Sequence, residues 1–499
     1  MIYYILLLIA HIGLVWWLPY LPTQDGPSHI YNLVILHDLL NGGKEWGHFF
    51  SYQLRPIPNL GFIILTYPLL SFFTPLVVER IFISVYIILL GVSVPTFLRT
   101  FDKPSLPASF FIFPLIFNYT LLMGFYSYIV AVPMFLLALS FAWRIRNSSP
   151  FCKFVCFNAL GFTIFYFHLI PFVFFILSLM IITMVESTGY KKKFNNLLKL
   201  LVIISPSILN FIYYFRLGTS RLLPDFSYLL YFPHFVRLLT EFLFFSTVNF
   251  LPWQILPASL FTFLIVLLSY HSGKNIYGRK MQGGNVTSSE KVLLYLTLLL
   301  IFIYLFAPFS FGGGLYFNER LPWVILLIAL PLLQIPESVI FRRITSYAIM
   351  GIASIFLVFN AVILRQQSGK IEEFLSGFHM ELPKGALVMS YKPKDPQKTT
   401  VDILLHTASY YGIFKGCVDI GNYEAATDIF PVRFNKTMPA TPPERQISYK
   451  AKTINWASYP AIEYLLGWEI DDKEKEGLNK YYRIIWEKDQ FSMWQRRVK

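Results

Sequence analysis

Long apolar stretches that are nearly free of charge limit what this chain can fold into. They occupy residues 2–20, 77–98, 121–143, 197–215, 254–270, 291–308, 320–335 and 344–364. About 20 apolar residues cross a bilayer as a helix, and in lipid the backbone has to satisfy its own hydrogen bonds. The chain is therefore predicted to be a polytopic α-helical membrane protein that lies in a lipid bilayer.

The charged residues agree with this class. Of the 499 residues, 14% are charged, whereas soluble domains have about 25%. The net charge of +14 is spread over loops and ends, which suits membrane topology signals better than nucleic-acid binding. Residues 1–20 contain no Lys or Arg and no small-x-small cleavage site, so we interpret them as the first transmembrane helix.

The number of crossings depends on three segments whose length does not clearly fit either one or two transmembrane helices. About eleven to thirteen transmembrane helices fit the apolar pattern up to residue 365. Residues 59–98, 107–143 and 151–186 are each too long for one helix and barely long enough for two. They contain Pro75, Pro95, Pro114 and Pro133. Proline breaks or kinks helices, so short or re-entrant helices are expected there.

Basic clusters set the predicted topology. Lys and Arg cluster at 191–193, at 274–291 and at 342–343, and two predicted crossings separate each cluster from the next. All three therefore fit the cytoplasmic side. Residues 217–253, residues 309–319 and the C-terminal end are then expected on the opposite, extracytoplasmic side. Loop 21–58 shares that side if the early crossings pair evenly, although Arg144 and Arg146 argue against this pairing.

The last part of the chain has the composition of a water-facing domain. Charges of both signs, Pro and Gly return after residue 365. Buried strands are predicted at 385–391 and 463–468, a closing antiparallel pair at 481–486 and 491–496, and a helix at 401–412. We therefore predict two domains, a helical bundle at 1–365 with outer loop 21–58 and a small C-terminal α/β extracytoplasmic domain at 366–499.

The loop after the first helix holds the first candidate site residue. Asp25 precedes Gly26 and Pro27, and proline suits the first turn of a helix, which is predicted to run along the membrane interface to about Leu40. Asp25 and His29 are four residues apart and are expected to face the same way. Asp25 is open to two compatible interpretations, a helix cap and a functional carboxylate beside a membrane bundle.

Several short motifs resemble those of the C-type (GT-C) glycosyltransferase superfamily. They are Asp25-Gly26-Pro27-Ser28-His29-Ile30-Tyr31-Asn32, Gly124-Phe125-Tyr126-Ser127-Tyr128, Tyr166-Phe167-His168, and Gly314-Leu315-Tyr316-Phe317-Asn318-Glu319-Arg320-Leu321-Pro322. The order of parts is also similar: one helix, an outer loop with an Asp, many more helices and a soluble end. Within the superfamily the chain is similar to bacterial dolichyl-phosphate-mannose-type protein glycosyltransferases and their uncharacterised relatives.

This resemblance implies a membrane enzyme of the cell envelope in the bacterial inner membrane. It implies an inverting transfer of sugar from a polyprenyl-phosphate-linked donor to a glycan, lipid or protein acceptor outside the cytoplasm. Such a transfer needs a base for the acceptor hydroxyl, which points to Asp25, with His29 orienting it or binding acceptor. Many members carry paired acids after the first helix, whereas Gly26 follows Asp25 here, so a divalent metal is allowed but not required.

The departing lipid phosphate would need a cation. Arg320 fits because arginine binds phosphate through two parallel hydrogen bonds, and it follows a glycine-rich stretch at 311–314. Glu319 is included with it in the substrate site. The alternative is that Glu319 and Arg320 form an interfacial anchor pair beside a flexible loop.

Weaker candidates complete the predicted substrate site. His168 lies between apolar neighbours and either faces the cavity or is satisfied by packing. Arg55, before Pro56 and Pro58, is a candidate second phosphate contact. Further charged residues lie in or beside the predicted outer loop and suit either phosphate contact or snorkelling at the interface: Arg216, Arg221, Asp225, His234 and Arg237. The Cys and His spacing does not suggest a structural zinc site.

Two other functions remain open at this level. A transporter or flippase of a lipid-linked substrate would show repeated halves or mid-membrane charges, and the sequence shows no repeat. A non-catalytic export or assembly subunit would use its C-terminal domain to dock a partner.

Overall fold

The protein is described by a computed structural model. It describes residues 1–43, 45–101, 106–216, 232–250, 254–282, 284–310, 315–336, 338–393, 401–427, 430–439 and 454–497. The chain is mostly helical, at 66%, with a small sheet near its C-terminal end.

The helices before that sheet, in chain order, are α1 (Ile2–Trp17), α2 (Gly26–Leu40), α3 (Gly61–Thr66), α4 (Pro75–Thr100), α5 (Leu106–Ser109), α6 (Tyr119–Leu122), α7 (Tyr126–Arg144), α8 (Pro150–Phe167), α9 (Leu169–Glu186), α10 (Tyr190–Ile203), α11 (Ser205–Arg216), α12 (Phe232–Leu243), α13 (Ile255–Met281), α14 (Ser288–Phe306), α15 (Pro322–Ala329) and α16 (Val339–Phe374). The helices of the C-terminal part are α17 (Ser409–Lys415) and α18 (Asp472–Leu478).

Fewer helices reach membrane-spanning length than the sequence predicts. Among the described residues, seven are long and apolar enough to cross a bilayer, or eight if the bent pair α10 and α11 counts as one span. Three shorter apolar helices, Ile2–Trp17, Gly61–Ser71 and Pro107–Leu122, make up most of the difference from the predicted eleven to thirteen. A 16-residue helix is about 24 Å long, less than the ~30 Å hydrocarbon core.

The prolines act differently from one another. Pro95 and Pro133 lie inside the continuous helices α4 and α7, so the predicted breaks there are wrong. Pro75 begins α4. The backbone N–H that proline lacks would have no hydrogen-bond acceptor within the helix at this position. Pro114 lies in a 3₁₀ turn, Phe110–Leu115. Residues 151–186 do divide in two, because His168 adopts an extended conformation between α8 and α9.

The C-terminal sheet has the predicted strands and one further strand. Its strands are β2 (Leu387–Tyr391), β3 (Val418–Asp419), β5 (Tyr464–Trp468), β6 (Tyr482–Lys488) and β7 (Phe491–Arg496), in the order β3-β2-β5-β7-β6. β2 is parallel to β3 and β5, while β7 is antiparallel to β5 and β6. The predicted helix at 401–412 is confirmed only for its last four residues, because 403–408 form turns closed by i to i+3 hydrogen bonds and α17 begins at Ser409.

The outer loop 21–58 packs into the C-terminal part. Strand β1 (Phe50–Tyr52) pairs antiparallel with β4 (Val432–Phe434). Helix α2 is largely buried, and the Tyr31 hydroxyl donates to the carbonyl of Cys417 at 3.0 Å. Helix α16 passes through residue 365 without a break, so the predicted boundary between the two domains falls inside a helix.

Candidate active site

Asp25 lies where the first helix, the outer loop and the C-terminal part meet. It occupies the N-cap position of α2, but its side chain accepts no hydrogen bond from the helix backbone. The carboxylate instead accepts hydrogen bonds from the Gln24 amide at 3.2 Å and from the Tyr423 hydroxyl at 3.3 Å. The interpretation of the Asp25 side chain as a helix cap is therefore wrong.

The environment of Asp25 suits a proton acceptor. Burial raises the pKa of the Asp25 carboxyl to about 6, although His29 and the Gln24 hydrogen bond act in the opposite direction. The His406 ring nitrogen Nε2 lies 3.6 Å from the carboxylate. Because burial, aided by Lys392, lowers the pKa of His406 to about 3, that ring is neutral. Asp25 is thus ionised near neutral pH and basic enough for general-base catalysis.

His29 lies one helical turn beyond Asp25 and has two partners of its own. Its Nδ1 lies 2.7 Å from a carboxylate oxygen of Glu424, and its Nε2 lies 2.9 Å from the carbonyl of Gly124. The ring also packs against Tyr126, with centroids 5.4 Å apart. His29 is therefore held rigidly beside Asp25.

Gly124 and Phe125 connect Asp25 with Arg320. A Cβ on Gly124 would lie 3.0 Å from the Asp25 Cβ, so the two backbones are in direct contact. The next residue, Phe125, carries the Arg320 guanidinium over its ring at 3.9 Å. Asp25 and Arg320 therefore both contact this two-residue segment, which belongs to the motif Gly124-Phe125-Tyr126-Ser127-Tyr128.

Arg320 is half-buried and has neutral partners. Its guanidinium lies 3.0 Å from the Nε2 atom of His168 and donates to the Leu315 carbonyl at 3.2 Å. Among the described residues, no carboxylate lies within ion-pair distance of Arg320. Burial lowers the pKa of the guanidinium, and Asp25 is close enough to act in the opposite direction. An arginine still remains charged in proteins, so Arg320 is a cation without a matched anion.

Glu319 belongs to a different cluster from Arg320. Its side chain is fully buried and pairs with Arg237 of α12 at 2.8 Å. Arg237 also pairs with Glu241 at 3.0 Å. Glu319 therefore pairs with Arg237 and not with Arg320, although its charge also acts on Arg320. The interpretation of Glu319 and Arg320 as an interfacial anchor pair stays a prediction.

The other predicted residues are placed as follows. The His168 ring is buried, its Nδ1 accepts a hydrogen bond from the Ile170 N–H, and its Nε2 lies 3.0 Å from the Arg320 guanidinium. The Arg55 side chain makes no hydrogen bond or ion pair with any described residue, while its carbonyl accepts from the Ile57 N–H at 2.8 Å. Arg216 ends α11. The glycine-rich stretch 311–314, Arg221 and Asp225, and the His234 side chain, lie outside the described part of the structure.

The C-terminal part supplies site residues that the sequence did not reveal. Tyr423 and Glu424 follow the carboxyl end of β3, while Lys392 follows that of the neighbouring parallel strand β2 and pairs with Asp402. Ligand sites in open α/β sheets lie at these ends. The segment Asp419-Ile420-Gly421-Asn422-Tyr423-Glu424, with acids after a buried strand, was the available signal. Strand β3 has only two residues, which is too short for its pattern to be recognised.

Gly124 offers a test of the close packing at Asp25. Gly124 has φ +84°, and a Cβ there would lie 2.8 Å from the Gly26 nitrogen and 2.9 Å from the Asp25 nitrogen. Gly124→Ala is expected to destabilise the protein by about 1–3 kcal/mol, measured by thermal unfolding in nanodiscs. Gly351→Ala, in a helix with open space around it, is the control and should unfold like wild type. Equal unfolding temperatures for the two variants would contradict the packing described here.

A metal ion does not fit the described residues as they stand. No group of three or more His, Cys, Asp or Glu side chains among them is arranged to hold one. The transfer mechanism proposed for this site therefore uses side chains and no metal ion.

Comparison of the chain with family models, with curated proteins and with solved structures finds no match. Any functional assignment therefore depends on the site residues and their geometry.

Proposed function

We propose that this protein is a membrane glycosyltransferase that moves a sugar from a polyprenyl-phosphate-linked donor to an extracytoplasmic acceptor. The observation that carries the proposal is that Asp25 and Arg320 both contact the segment Gly124-Phe125. One is a buried carboxylate that is basic near neutral pH, and the other is a cation that pairs with none of the described carboxylates.

Each charge has a role in an inverting transfer. Asp25 takes the proton of the acceptor hydroxyl while the hydroxyl oxygen attacks the anomeric carbon. The bond between that carbon and the phosphate oxygen breaks, and its electron pair leaves on the phosphate. Arg320 stabilises the charge that develops there, because a fixed cation in a water-poor site acts strongly on the transition state. His168, with its Nε2 atom 3.0 Å from the guanidinium, holds Arg320 in position.

The placement of the basic clusters supports an outward-facing site. Arg279 pairs with Glu290, and Asn275 donates to Gln334 at 3.0 Å, so the cluster at 274–291 and the start of α16 lie at one end of the bundle. Helix α16 runs from there to the C-terminal part, which contacts Asp25. With the clusters in the cytoplasm, Asp25 and Arg320 face outward, which suits the bacterial inner membrane and a glycan, lipid or protein acceptor.

A reconstituted assay tests the proposal. The purified chain in proteoliposomes would be given a polyprenyl phosphate bearing a radiolabelled hexose, and release of polyprenyl phosphate and movement of label across the bilayer would both be measured. We expect release of polyprenyl phosphate, slowly to water and faster with an added saccharide acceptor. Movement of intact donor without cleavage would instead establish a flippase. Neither cleavage nor movement, across a panel of hexoses, would favour an assembly subunit and overturn the proposal.

A further inference from the structure

The two groups beside the His29 ring favour its cationic form. Nδ1 lies 2.7 Å from the Glu424 carboxylate, at ion-pair distance, and Nε2 lies 2.9 Å from the Gly124 carbonyl. An ionised carboxylate and a carbonyl accept hydrogen bonds and donate none. A neutral imidazole carries only one N–H, whereas an imidazolium carries two. The geometry therefore favours a cationic ring at His29.

The groups around His29 favour that cation. Three carboxylates face it from different elements: Asp25 at the start of α2, Glu79 of α4 and Glu424 after β3. His406 also faces it and is neutral. Burial by itself lowers the pKa of His29, but Glu424 and Asp25 outweigh this effect and raise it. The side chains of His29 and Glu424 are only 13% and 4% exposed, so water screens the pair weakly.

We propose that Glu424 is a positioning residue that holds His29 as a fixed imidazolium beside Asp25, so that the C-terminal part completes the transfer site. This rests on the proposed function of Asp25 as the base. The imidazolium cannot accept the proton of the acceptor, because both of its nitrogens already carry protons. Its charge instead lowers the pKa of Asp25, against the effect of burial, and keeps that carboxylate ionised for the acceptor hydroxyl.

This role and a simple charge effect of Glu424 predict opposite changes of the Asp25 pKa when Glu424 is replaced. The Glu424 carboxylate by itself raises the pKa of Asp25, whereas the His29 cation lowers it. If Glu424 acted only through its own charge, Glu424→Gln would lower the pKa of Asp25. If Glu424 acts by holding the cation, Glu424→Gln neutralises His29 and raises the pKa of Asp25.

The pH dependence of transfer distinguishes these cases. In the reconstituted assay, Glu424→Gln and His29→Gln are each expected to move the acidic limb of the rate profile upward by about one pH unit or more. The double variant should shift no further than His29→Gln, because the two residues act as a unit. The exposed Glu476→Gln, on the same part of the chain, is the control and should leave the limb in place. A downward or absent shift in Glu424→Gln would overturn the proposal.

A second measurement does not need activity at all. Solid-state ¹⁵N spectra of histidine-labelled protein in nanodiscs report whether both ring nitrogens carry protons, and the difference from His29→Gln assigns the His29 signals. We expect an imidazolium at pH 7.5 in wild type and a neutral ring in Glu424→Gln. A neutral His29 in wild type would overturn the inference. An imidazolium in a protein without transfer activity would leave the inference standing and remove only the proposed function.

Discussion

Asp25→Asn is expected to lower the rate of sugar transfer by about 10²–10⁴-fold, the usual effect of losing a general base. Asparagine has the same shape and still accepts one of the two hydrogen bonds that Gln24 and Tyr423 donate to the Asp25 oxygens, but it cannot take the acceptor proton. The rate of wild type should rise with pH through the Asp25 pKa of about 6. Release of labelled polyprenyl phosphate as a function of pH measures both effects. Full activity of Asp25→Asn would end the assignment of the base.

The stability of the same variant separates chemistry from misfolding. The pKa of Asp25 is about 6 in the folded protein and 3.8 ordinarily, so the folded state binds the proton more tightly. The stabilising contribution of this carboxyl is therefore complete below about pH 4 and is lost as the pH rises through 6. At pH 7.5, Asp25→Asn should unfold at the same temperature as wild type or higher, since it removes a buried charge.

A control belongs with that measurement. Asp472→Asn changes an exposed carboxylate in the first turn of α18 and should leave transfer unchanged. If the unfolding temperature of Asp25→Asn were well below those of wild type and Asp472→Asn, its loss of activity would reflect damage to the fold and not the loss of a base.

Arg320→Gln is expected to lower the transfer rate by about 10²–10³-fold, as for the removal of one charged or polar group that stabilises a developing anion. Glutamine removes the charge and the stacking on Phe125 but retains a hydrogen-bond donor for His168. Arg320→Lys keeps the charge without the planar fork and should recover part of the rate, because a lysine binds phosphate as a point charge. Initial rates at saturating and at limiting donor concentration separate weaker binding from slower chemistry.

The control for Arg320 is an arginine that is already paired and partly exposed. Arg365 pairs with Glu372 near the end of α16, and Arg365→Gln should transfer sugar at the wild-type rate. A direct binding measurement adds a second test, in which polyprenyl phosphate alone raises the unfolding temperature of wild type but not of Arg320→Gln. Equal shifts in both proteins would place the phosphate elsewhere.

The apolar blocks were sufficient to predict the broad class. Helices α4, α7 and α14 coincide closely with blocks that are nearly free of charge, because a long apolar segment has few alternatives to a buried or membrane helix. The closing strands β6 and β7 also follow directly from their alternation and the turn at Lys488 and Asp489. The crossing count was less predictable, since segments such as 107–122 fold into short helical pieces whose ends are fixed by packing.

The sequence by itself determined that Asp25, His29, His168 and Arg320 carry charge or ring nitrogens beside apolar helices. Local patterns contain that information, because each residue stands out against its uncharged neighbours. Only the tertiary structure decided their partners: Glu424 with His29, Arg237 with Glu319, and Phe125 under Arg320. These pairs are far apart in the chain, and no periodicity links them. Whether a buried charge meets an opposite charge, a neutral ring or open space is set by how the elements pack, and that decides which charge is left to act on a substrate.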